Sequence, residues 1–431
     1  MRILFLHRNF PGQFLHLAPH FARDPENQVV FVTARKDRDI PGVLKVVYRV
    51  PERDRSKTHH YLRSSEEAIL HGQAAANAAI DLKRKGFVPD VIIGHTWGQN
   101  LFMKDVFPGT PLLGYFEWFY RAHGSDVDFY PGIPMTTDTE ARVRVKNSPI
   151  LIDLDACDQG ICPTRWQLEQ FPREFRTKIE VVHDGIDTDF FKPDPRRRLA
   201  SHSDEFQRCQ PQVDFTHDLR HGPVSPEIGP DMPGGTDIVT YVSRGLEPYR
   251  GFPQFMEAAA LILRDRPRSR IVVVGEDKVF YGSALPGGKS YKDLALEKFT
   301  GDLSRVHFTG YLPSDRYREI LRASAAHVYL TCPFVLSWSM LEAMSTGCLL
   351  FASNTPPVTE VVSDGGNGFL FDFFSPRELA DKVLFALEHP EDMQCIRENA
   401  RKTVLERYAL RDLLPRQAAL VEGLARRRAR K

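Results

Sequence analysis

The feature that most constrains this chain is an alternation of strand and helix patterns that occurs in two long runs. In the first run, the apolar segment 3–6 is followed by a tight loop, an amphipathic segment at 14–22 and a second apolar segment at 29–33. Such a unit is typical of parallel strands joined by a right-handed crossover. The run continues with a helical segment near 61–85 and with apolar segments near 89–95, 111–117, 158–163 and 179–183. It predicts a doubly wound open sheet, whose ligands bind beyond the carboxyl ends of the strands.

The second run begins after a stretch, 193–236, that is rich in Pro, Arg, His, Ser, Asp and Gly and shows little periodicity. It predicts strands near 238–242, 271–274, 306–308, 327–330 and 348–352, with helices near 253–264, 314–325 and 339–346. A chain of 431 residues is long enough for two domains. We predict an α/β protein with a Rossmann-like domain at 1–192, a linker or insertion at 193–236, a second Rossmann-like domain at 237–408 and a final helix with a basic tail at 409–431.

The composition is that of an ordinary globular protein. Lys and Arg number 57 against 56 Asp and Glu, whereas a nucleic-acid partner favours a clearly basic domain, so we expect none. The six cysteines are scattered without a CxxC pair, which is typical of reduced thiols in a cytosolic protein: Cys157, Cys162, Cys209, Cys332, Cys348 and Cys395. The apolar start is too short for a signal peptide, and no stretch approaches the ~20 apolar residues of a membrane span, so we expect a cytoplasmic location.

Two arginines stand at the end of the first strand of the second domain. They lie in the segment 242–252, which contains Arg244, Gly245, Glu247, Arg250 and Gly251. Guanidinium groups at the carboxyl end of a strand can bind a dianionic group bidentately. We therefore predict Arg244 and Arg250 as residues that bind and stabilise a phosphate group, against the alternative of two solvated surface arginines.

A second cluster lies where a loop enters a helix, at 332–347. Backbone N–H groups near Ser337 and Ser339 are expected to point at an anion, assisted by the helix dipole. Glu342 stands one turn further on, where a carboxylate can accept hydrogen bonds from vicinal ribose hydroxyls. Without its context, Glu342 would more often be a surface or capping carboxylate.

In these motifs the sequence resembles the family-four glycosyltransferases, retaining enzymes of the GT-B fold, over nearly its whole length. Pro11-Gly12 is similar to the glycine loop of the family, the segment 183–191 to its Asn-Gly-Val-Asp segment, and 341–344 with Gly347 to its signature region. The phrases NFPGQF, RGLEPYRGF and PFVLSWSMLEAM resemble a bacterial subgroup associated with exopolysaccharide synthesis. The resemblance implies two Rossmann-like domains that face a cleft and a final helix that crosses back to the first domain.

The resemblance also implies roles for individual residues. Arg244 and Arg250 match the Arg and Lys that bind the donor diphosphate, with Arg in the Lys position. The resemblance places Gly12 and the adjacent Gln13, together with Ser337, Ser339, Leu341 and Glu342, in substrate binding.

The sequence departs from the family pattern at two positions. The first Glu of the Glu-x7-Glu motif is replaced by Phe334, so only Glu342 is retained. The family often has a His at the end of a mid-domain strand, where this chain has Glu117, with His123 six residues on. We predict Glu117 as a charge-stabilising or acceptor-orienting group and His95 and His123 as substrate-binding residues, although His95 is also compatible with a structural role.

No metal ion and no other cofactor is expected. Asp126-Val127-Asp128 fits the Asp-x-Asp metal site of the other large glycosyltransferase fold, but it lies apart from the donor motifs. Two arginines and a helix N-terminus already neutralise a diphosphate without a cation. The basic end, 426–431, is compatible with peripheral contact to anionic lipid at the inner face of a membrane, and we favour a solvated tail.

The implied reaction is hexosyl transfer with retention from a nucleotide sugar to a saccharide or another hydroxyl acceptor. The nucleotide sugar is a substrate in this scheme, and Arg244 and Arg250 stabilise the leaving nucleoside diphosphate. Two alternatives stay open: a catalytically silent donor-binding partner of another transferase, suggested by Phe334, and a GT-B sugar-nucleotide epimerase. An NAD-dependent oxidoreductase is disfavoured, because no GxGxxG follows the first strand of either domain.

Overall fold

The structure is a computed structural model that describes residues 1–54, 56–194 and 236–429. Most of the predicted linker or insertion, 193–236, therefore lies outside the described residues, as do Cys209 and the last two residues of the basic end. The described chain groups into two compact units. Unit 1 contains Met1–Gly185, the short segment Pro333–Val335 and the chain from Leu410 onwards; unit 2 contains the described parts of Ile186–Cys332 and Leu336–Ala409.

Unit 1 is built on a seven-stranded parallel sheet with the strand order β3-β2-β1-β4-β5-β6-β7. Its central strands are short apolar runs that are buried on both faces, as parallel strands covered by helices must be. The strands are β1 Arg2–Leu6, β2 Gln28–Thr33, β3 Val43–Val47, β4 Val91–His95, β5 Leu112–Tyr115, β6 Gln159–Cys162 and β7 Ile179–Val181. The helices are α1 Leu17–Ala22, α2 Arg63–Arg84, α3 Met103–Val106, α4 Thr137–Lys146, α5 Ser148–Ala156, α6 Arg165–Gln170 and α7 Arg173–Arg176.

Unit 2 repeats this architecture with a six-stranded parallel sheet of order β10-β9-β8-β11-β12-β13. The strands are β8 Asp237–Gly245, β9 Ser269–Glu276, β10 Val306–Gly310, β11 Ala326–Tyr329, β12 Leu350–Ser353 and β13 Phe369–Phe371. The helices are α8 Phe252–Asp265, α9 Tyr291–Lys298, α10 Ser314–Ala323, α11 Trp338–Thr346, α12 Pro356–Thr359, α13 Pro376–Glu388 and α14 Gln394–Arg407. The predicted fold class, two doubly wound parallel-sheet α/β domains, is confirmed.

The strand order reverses at one place in each sheet. In unit 1 the reversal lies between β1 and β4, which pair directly, and in unit 2 it lies between β8 and β11. In open α/β sheets, ligands bind outside the carboxyl ends of the strands at such a reversal. The candidates for ligand binding are therefore the residues at these strand ends, which are His7 and His95 at the ends of β1 and β4 and the segment 244–251 at the end of β8.

The last helix, α15 Leu410–Ala429, belongs to unit 1. Its apolar face joins the core cluster that covers one face of the unit 1 sheet through Ala418, Val421, Leu424 and Ala425. Residues 186–192, predicted with the first domain, group with unit 2, because Ile186 and Phe191 pack into the unit 2 core. None of the helices in the described chain combines the length and the apolar character that a membrane crossing requires.

Candidate active site

His7 follows β1 in unit 1 and is completely buried. The N–H group of Asn9 donates to its Nδ1 atom at 2.8 Å, and its Nε2 atom lies 2.6 Å from Oε1 of Gln13. Burial, and then the neighbouring His95, lower the pKa of His7 well below its ordinary value, so the ring is neutral near pH 7. A neutral ring that accepts at Nδ1 carries its proton on Nε2.

Gly12 allows the approach between the loop and His7. Its φ angle is +57°, a left-handed conformation that favours glycine, and a Cβ atom built on it would lie 2.5 Å from Nε2 of His7. Any side chain at this position would push the imidazole away from Gln13. Gly12 in the predicted glycine loop therefore leaves room for the His7 ring. This steric role is separate from the substrate-binding role that we predict for Gly12.

Glu117 is brought to the same place from the segment after β5. Gln13 donates from Nε2 to Oε1 of Glu117 at 2.8 Å, although 104 residues separate them. Gln167 donates to the backbone carbonyl of Glu117 at 2.7 Å and fixes the main chain there. The other carboxylate oxygen, Oε2, lies 3.6 Å from Nε2 of His95, and the side chain of Glu117 is 14% exposed. The structure therefore brings together four predicted residues, Gly12, Gln13, His95 and Glu117, and adds His7, which sequence reasoning missed.

His95 ends β4 and is completely buried. Its ring lies 4.6 Å from the ring of His7, 4.2 Å from that of Trp97 and 5.2 Å from that of Tyr115, measured between centroids. Neither ring nitrogen has a hydrogen-bond partner among the described residues. A buried polar group without a partner is costly and calls for an explanation.

His123 does not lie in this cluster. Its side chain is 62% exposed, and its ring nitrogens lie 3.0 Å from Glu140 and 3.6 Å from Asp128. His123 is only six residues from Glu117 in the sequence, but the intervening loop leads the chain outward to the surface, so the two residues are not neighbours in the structure. The structure therefore places His123 apart from Glu117, and its substrate-binding role stays a prediction.

The two aspartates of the Asp-x-Asp sequence have local contacts. Asp128 accepts from the backbone N–H groups of Gly124 and Ser125, at 2.9 and 3.2 Å, and Asp126 accepts from the hydroxyl of Ser125 at 3.2 Å. Within 1–54, 56–194 and 236–429, no three His, Cys, Asp or Glu side chains group in a way that would hold a metal ion.

In unit 2, Arg244 and Arg250 occupy the turn at the end of β8. Arg244 is exposed, and its guanidinium carbon lies 4.2 Å from the centroid of the Phe280 ring. Arg250 is 5% exposed and donates from Nη1 to Oγ1 of Thr331 at 2.7 Å and to the Tyr329 hydroxyl at 3.2 Å. Its guanidinium carbon lies 5.2 Å from the Tyr281 ring. Both cations thus lie against aromatic rings that follow β9, in contacts of the cation–π type.

Glu247, between the two arginines, holds this arrangement in place. It is completely buried, and its carboxylate accepts from the backbone N–H groups of Phe280 at 3.1 Å, Tyr281 at 3.1 Å and Gly282 at 2.9 Å. These bonds fix the loop whose two rings contact the guanidinium groups. Sequence reasoning missed Glu247, although a carboxylate between two arginines was a usable signal.

Gly251 closes the turn and begins α8. Its φ angle is +62°, and a Cβ atom there would lie 2.5 Å from Cβ of Leu330, directly after β11. The turn can therefore pack on the end of β11, next to Tyr329 and Thr331, only with glycine at this position. This close packing is what brings Arg250 within reach of both hydroxyls.

Ser337 caps the N-terminus of α11. Its hydroxyl oxygen accepts from the N–H group of Ser339 at 3.3 Å, and its own N–H group donates to the Tyr329 hydroxyl at 2.9 Å. The same Tyr329 oxygen accepts from Arg250, so the helix start and the arginine share one anchor. The N–H groups predicted to point at an anion already donate within unit 2. The two serine hydroxyls, 3.0 Å apart, stay candidates for ligand contact.

Leu341 and Glu342 follow each other on α11 but differ in how far their side chains are buried. Leu341 is 0% exposed and its side chain packs in the unit 2 core, so a contact with a ligand would have to come from its main chain, and its substrate-binding role stays a prediction. Glu342 is partly buried, and its Oε2 atom accepts from the Tyr317 hydroxyl at 2.9 Å. Burial raises the pKa of Glu342 to about 7, opposed by the Tyr317 hydrogen bond. This carboxyl group titrates near neutral pH.

Phe334, at the position of the absent motif Glu, groups with unit 1. Its ring lies 4.9 Å from that of Trp118, and its carbonyl oxygen accepts from the indole N–H of Trp166 at 3.1 Å. The residue is 7% exposed. An apolar contact therefore stands where the family pattern has a carboxylate.

The family of the chain follows from two sequence comparisons. A model of the glycosyl transferase family 4 group matches residues 25–191, and a model of the glycosyl transferases group 1 matches residues 230–403. Together they span well over half of the chain. The chain belongs to the family 4 glycosyltransferases. The predicted resemblance to the family-four glycosyltransferases is confirmed at the level of the family.

Individual relatives of this glycosyltransferase are distant. A D-inositol 3-phosphate glycosyltransferase from a Nocardioides species is 24% identical over 287 residues, which is 60% of this chain and 55% of that protein. The chain thus spans about half the length of such curated relatives. The crystal structure of Anabaena HepE in complex with UDP-glucose is similar with a TM-score of 0.66 at 15% identity, over 98% of this chain and 100% of that one.

A third similarity points to the same fold. The sucrose-phosphate synthase of Thermosynechococcus elongatus has a TM-score of 0.67 at 14% identity, over 98% of this chain and 99% of that one. At such low identity these similarities show the fold, which is GT-B, and no more. The activity of this glycosyltransferase has to be argued from its own residues.

Proposed function

We propose that this glycosyltransferase moves a hexosyl group, with retention, from a nucleotide sugar to a hydroxyl of a saccharide or another acceptor. The observation that carries the proposal is the pair Arg244 and Arg250 at the carboxyl end of β8, beside the reversal of the strand order. Arg250 is buried and fixed by two hydroxyls, and Arg244 is exposed on the same turn. A preorganised pair of cations stabilises the charge that develops on a leaving diphosphate.

The rest of the donor site follows from α11. We assign the hydrogen bonds with the ribose hydroxyls to Glu342. We also assign donor contacts to the hydroxyls of Ser337 and Ser339, since the start of α11 and Arg250 share the Tyr329 hydroxyl as an anchor. The HepE structure was determined with UDP-glucose, which supports a nucleoside-diphosphate sugar as the class of donor. Because the two arginines already neutralise the diphosphate, we propose that neither a metal ion nor another cofactor takes part.

We assign acceptor orientation and charge stabilisation to Glu117 and His95 in unit 1. In a retaining transfer, the acceptor hydroxyl attacks the anomeric carbon from the face that the diphosphate leaves. The bond from carbon to the phosphate oxygen breaks, the bond to the acceptor oxygen forms, and the departing phosphate oxygen takes the hydroxyl proton. Such a reaction requires positioning and electrostatics rather than a nucleophile on the protein.

A thermal-shift screen with UDP-, GDP- and dTDP-sugars tests donor binding, since a ligand that binds only the folded state raises Tm by mass action. The donor identified there is then incubated with saccharide acceptors, and the product is analysed by NMR. We expect a new glycosidic bond with the anomeric configuration of the donor. An inverted product would contradict retention.

Two other outcomes correspond to other functions. Donor binding without transfer to any acceptor, and without hydrolysis, would support a silent donor-binding partner, the function that Phe334 in place of the motif Glu favours. Conversion of the donor to its epimer would support a sugar-nucleotide epimerase.

A further inference from the structure

In the chain of hydrogen bonds from His7 through Gln13 to Glu117, only one assignment of donors and acceptors is possible. An ionised carboxylate can only accept, so Gln13 must turn its NH2 group to Oε1 of Glu117, at 2.8 Å. Its carbonyl oxygen then faces Nε2 of His7 at 2.6 Å, and His7 must donate. At the other side of the ring, the N–H group of Asn9 donates to Nδ1 and requires that this nitrogen carry no proton. Two independent contacts therefore fix the same tautomer of His7.

We infer that His7 and Gln13 are positioning residues that hold Glu117 in one orientation, so that its Oε2 atom and Nε2 of His95 receive a sugar hydroxyl. The inference rests on the proposed function. Oε1 of Glu117 is engaged by Gln13, and the main chain at Glu117 is held by Gln167. Rotation of the carboxylate would break the bond to Gln13 and leave the partly buried amide of Gln13 without its acceptor.

His95 supplies the second, independent observation. It is completely buried, and both of its ring nitrogens lack a hydrogen-bond partner among the described residues. Its Nε2 atom lies 3.6 Å from Oε2 of Glu117, beyond hydrogen-bond distance. A hydroxyl group that donates to Oε2 and accepts from Nε2 satisfies both atoms at once. A hydroxyl, being both donor and acceptor, is the chemical group that fits this pair.

Two substitutions of His7 separate positioning from packing. Glutamine can place its amide NH2 near the position of the imidazole Nε2 and keep the donation to Gln13, whereas asparagine places its oxygen near Nδ1 and keeps only the contact with Asn9. We expect His7→Asn to lower kcat about tenfold, because a hydrogen bond that orients a charged group is lost, and His7→Gln to stay within about threefold of the wild type. The affinity for the nucleoside diphosphate should not change in either variant.

His183 provides the matched control. It is also buried, and its Nδ1 accepts from the N–H group two residues on, that of Gly185, at 3.1 Å. That hydrogen bond does not lead to Glu117. His183→Asn should therefore lower Tm, as a substitution of a buried residue does, without the roughly tenfold loss of kcat expected for His7→Asn. Equal losses of kcat in the two asparagine variants would overturn the inference.

Donor hydrolysis without an acceptor identifies the source of the hydroxyl. If His7→Asn lowers hydrolysis and transfer alike, the hydroxyl belongs to the donor sugar; if it lowers transfer alone, the hydroxyl belongs to the acceptor. Nitrogen-15 NMR of the wild-type imidazoles decides the tautomer without any turnover. A proton on Nδ1 of His7 would overturn the inference even if both variants failed to fold. A wild type that turns over no nucleotide sugar would instead refute the proposed function.

Discussion

The two candidate sites are constructed in opposite ways. In unit 2 the cations come from one continuous segment, 244–250, and a buried carboxylate within that segment, Glu247, holds the loop that covers them. In unit 1 the polar groups come from the ends of three strands, and the contact between Gln13 and Glu117 joins positions 104 residues apart. One site is a local turn, and the other exists only after the sheet has formed.

The difference also concerns charge. The unit 2 site presents two guanidinium groups, which act on a dianion mainly through electrostatics. The unit 1 site presents one carboxylate beside imidazole and amide groups, and in the proposed function it acts through orientation. Substitutions in unit 2 should therefore weaken the stabilisation of negative charge on the leaving diphosphate. Substitutions in unit 1 should lower the fraction of bound molecules in which a sugar hydroxyl has the correct orientation.

The largest effect is expected from Arg250→Ala. Loss of a buried guanidinium that contacts a developing negative charge should lower kcat/KM at least about 100-fold, or about 3 kcal/mol. Arg305→Ala is the control, because this partly buried arginine of unit 2 is likewise held by hydrogen bonds, which it donates to the carbonyl groups of Leu263 and Pro267, away from the donor motifs. If the two variants have the same kinetics, Arg250 does not belong to the donor site.

Glu117→Gln should have an intermediate effect confined to chemistry. The substitution keeps the shape of the side chain but removes the charge, so kcat should fall about tenfold or more while the Kd of the nucleoside diphosphate stays constant. Glu140→Gln, on α4 beside the exposed His123, should leave both quantities unchanged. Weaker nucleotide binding by the Glu117 variant would contradict the assignment of the donor to unit 2.

A smaller effect is expected from the titration of Glu342. Its pKa is about 7 because of burial, and ribose hydroxyls bind the ionised form, so affinity for the nucleoside diphosphate should rise about tenfold between about pH 6 and about pH 8. Calorimetric titrations at several pH values measure this. The phosphate of the ligand also titrates in this range, and it does so equally when the ligand binds the wild type or Glu342→Gln. The difference between the two pH profiles therefore reports the Glu342 carboxyl group alone. Parallel pH profiles would show that Glu342 does not contact the ribose.

Metal removal is expected to have no effect. Since two arginines supply the positive charge at the diphosphate, activity after treatment with EDTA should equal that of the untreated enzyme. The measurement is the transfer rate with EDTA and after addition of Mg²⁺ or Mn²⁺. If EDTA lowers the transfer rate and either ion restores it, the two arginines do not neutralise the diphosphate by themselves. The contrast in charge between the two sites would then be smaller than we propose.

The sequence by itself determined the class of fold and the position of the turn that carries the two arginines. Strands such as β1 and β8 are buried on both faces and appear as apolar runs, and a turn such as 244–250 carries its chemistry in consecutive residues. Strands β3 and β13 escaped prediction, because they are only partly buried and lack a long apolar run.

Only the tertiary structure decided which residues form the unit 1 site. It placed His7 against Gln13 and Glu117 beside His95, and it left His123 at the surface. It also assigned Leu341 to the core while Glu342, the next residue on the same helix, stayed partly exposed. The physical reason is that a local pattern reports burial and turn chemistry within a few residues, whereas hydrogen-bond partners are chosen by strand order, which joins segments far apart in the chain.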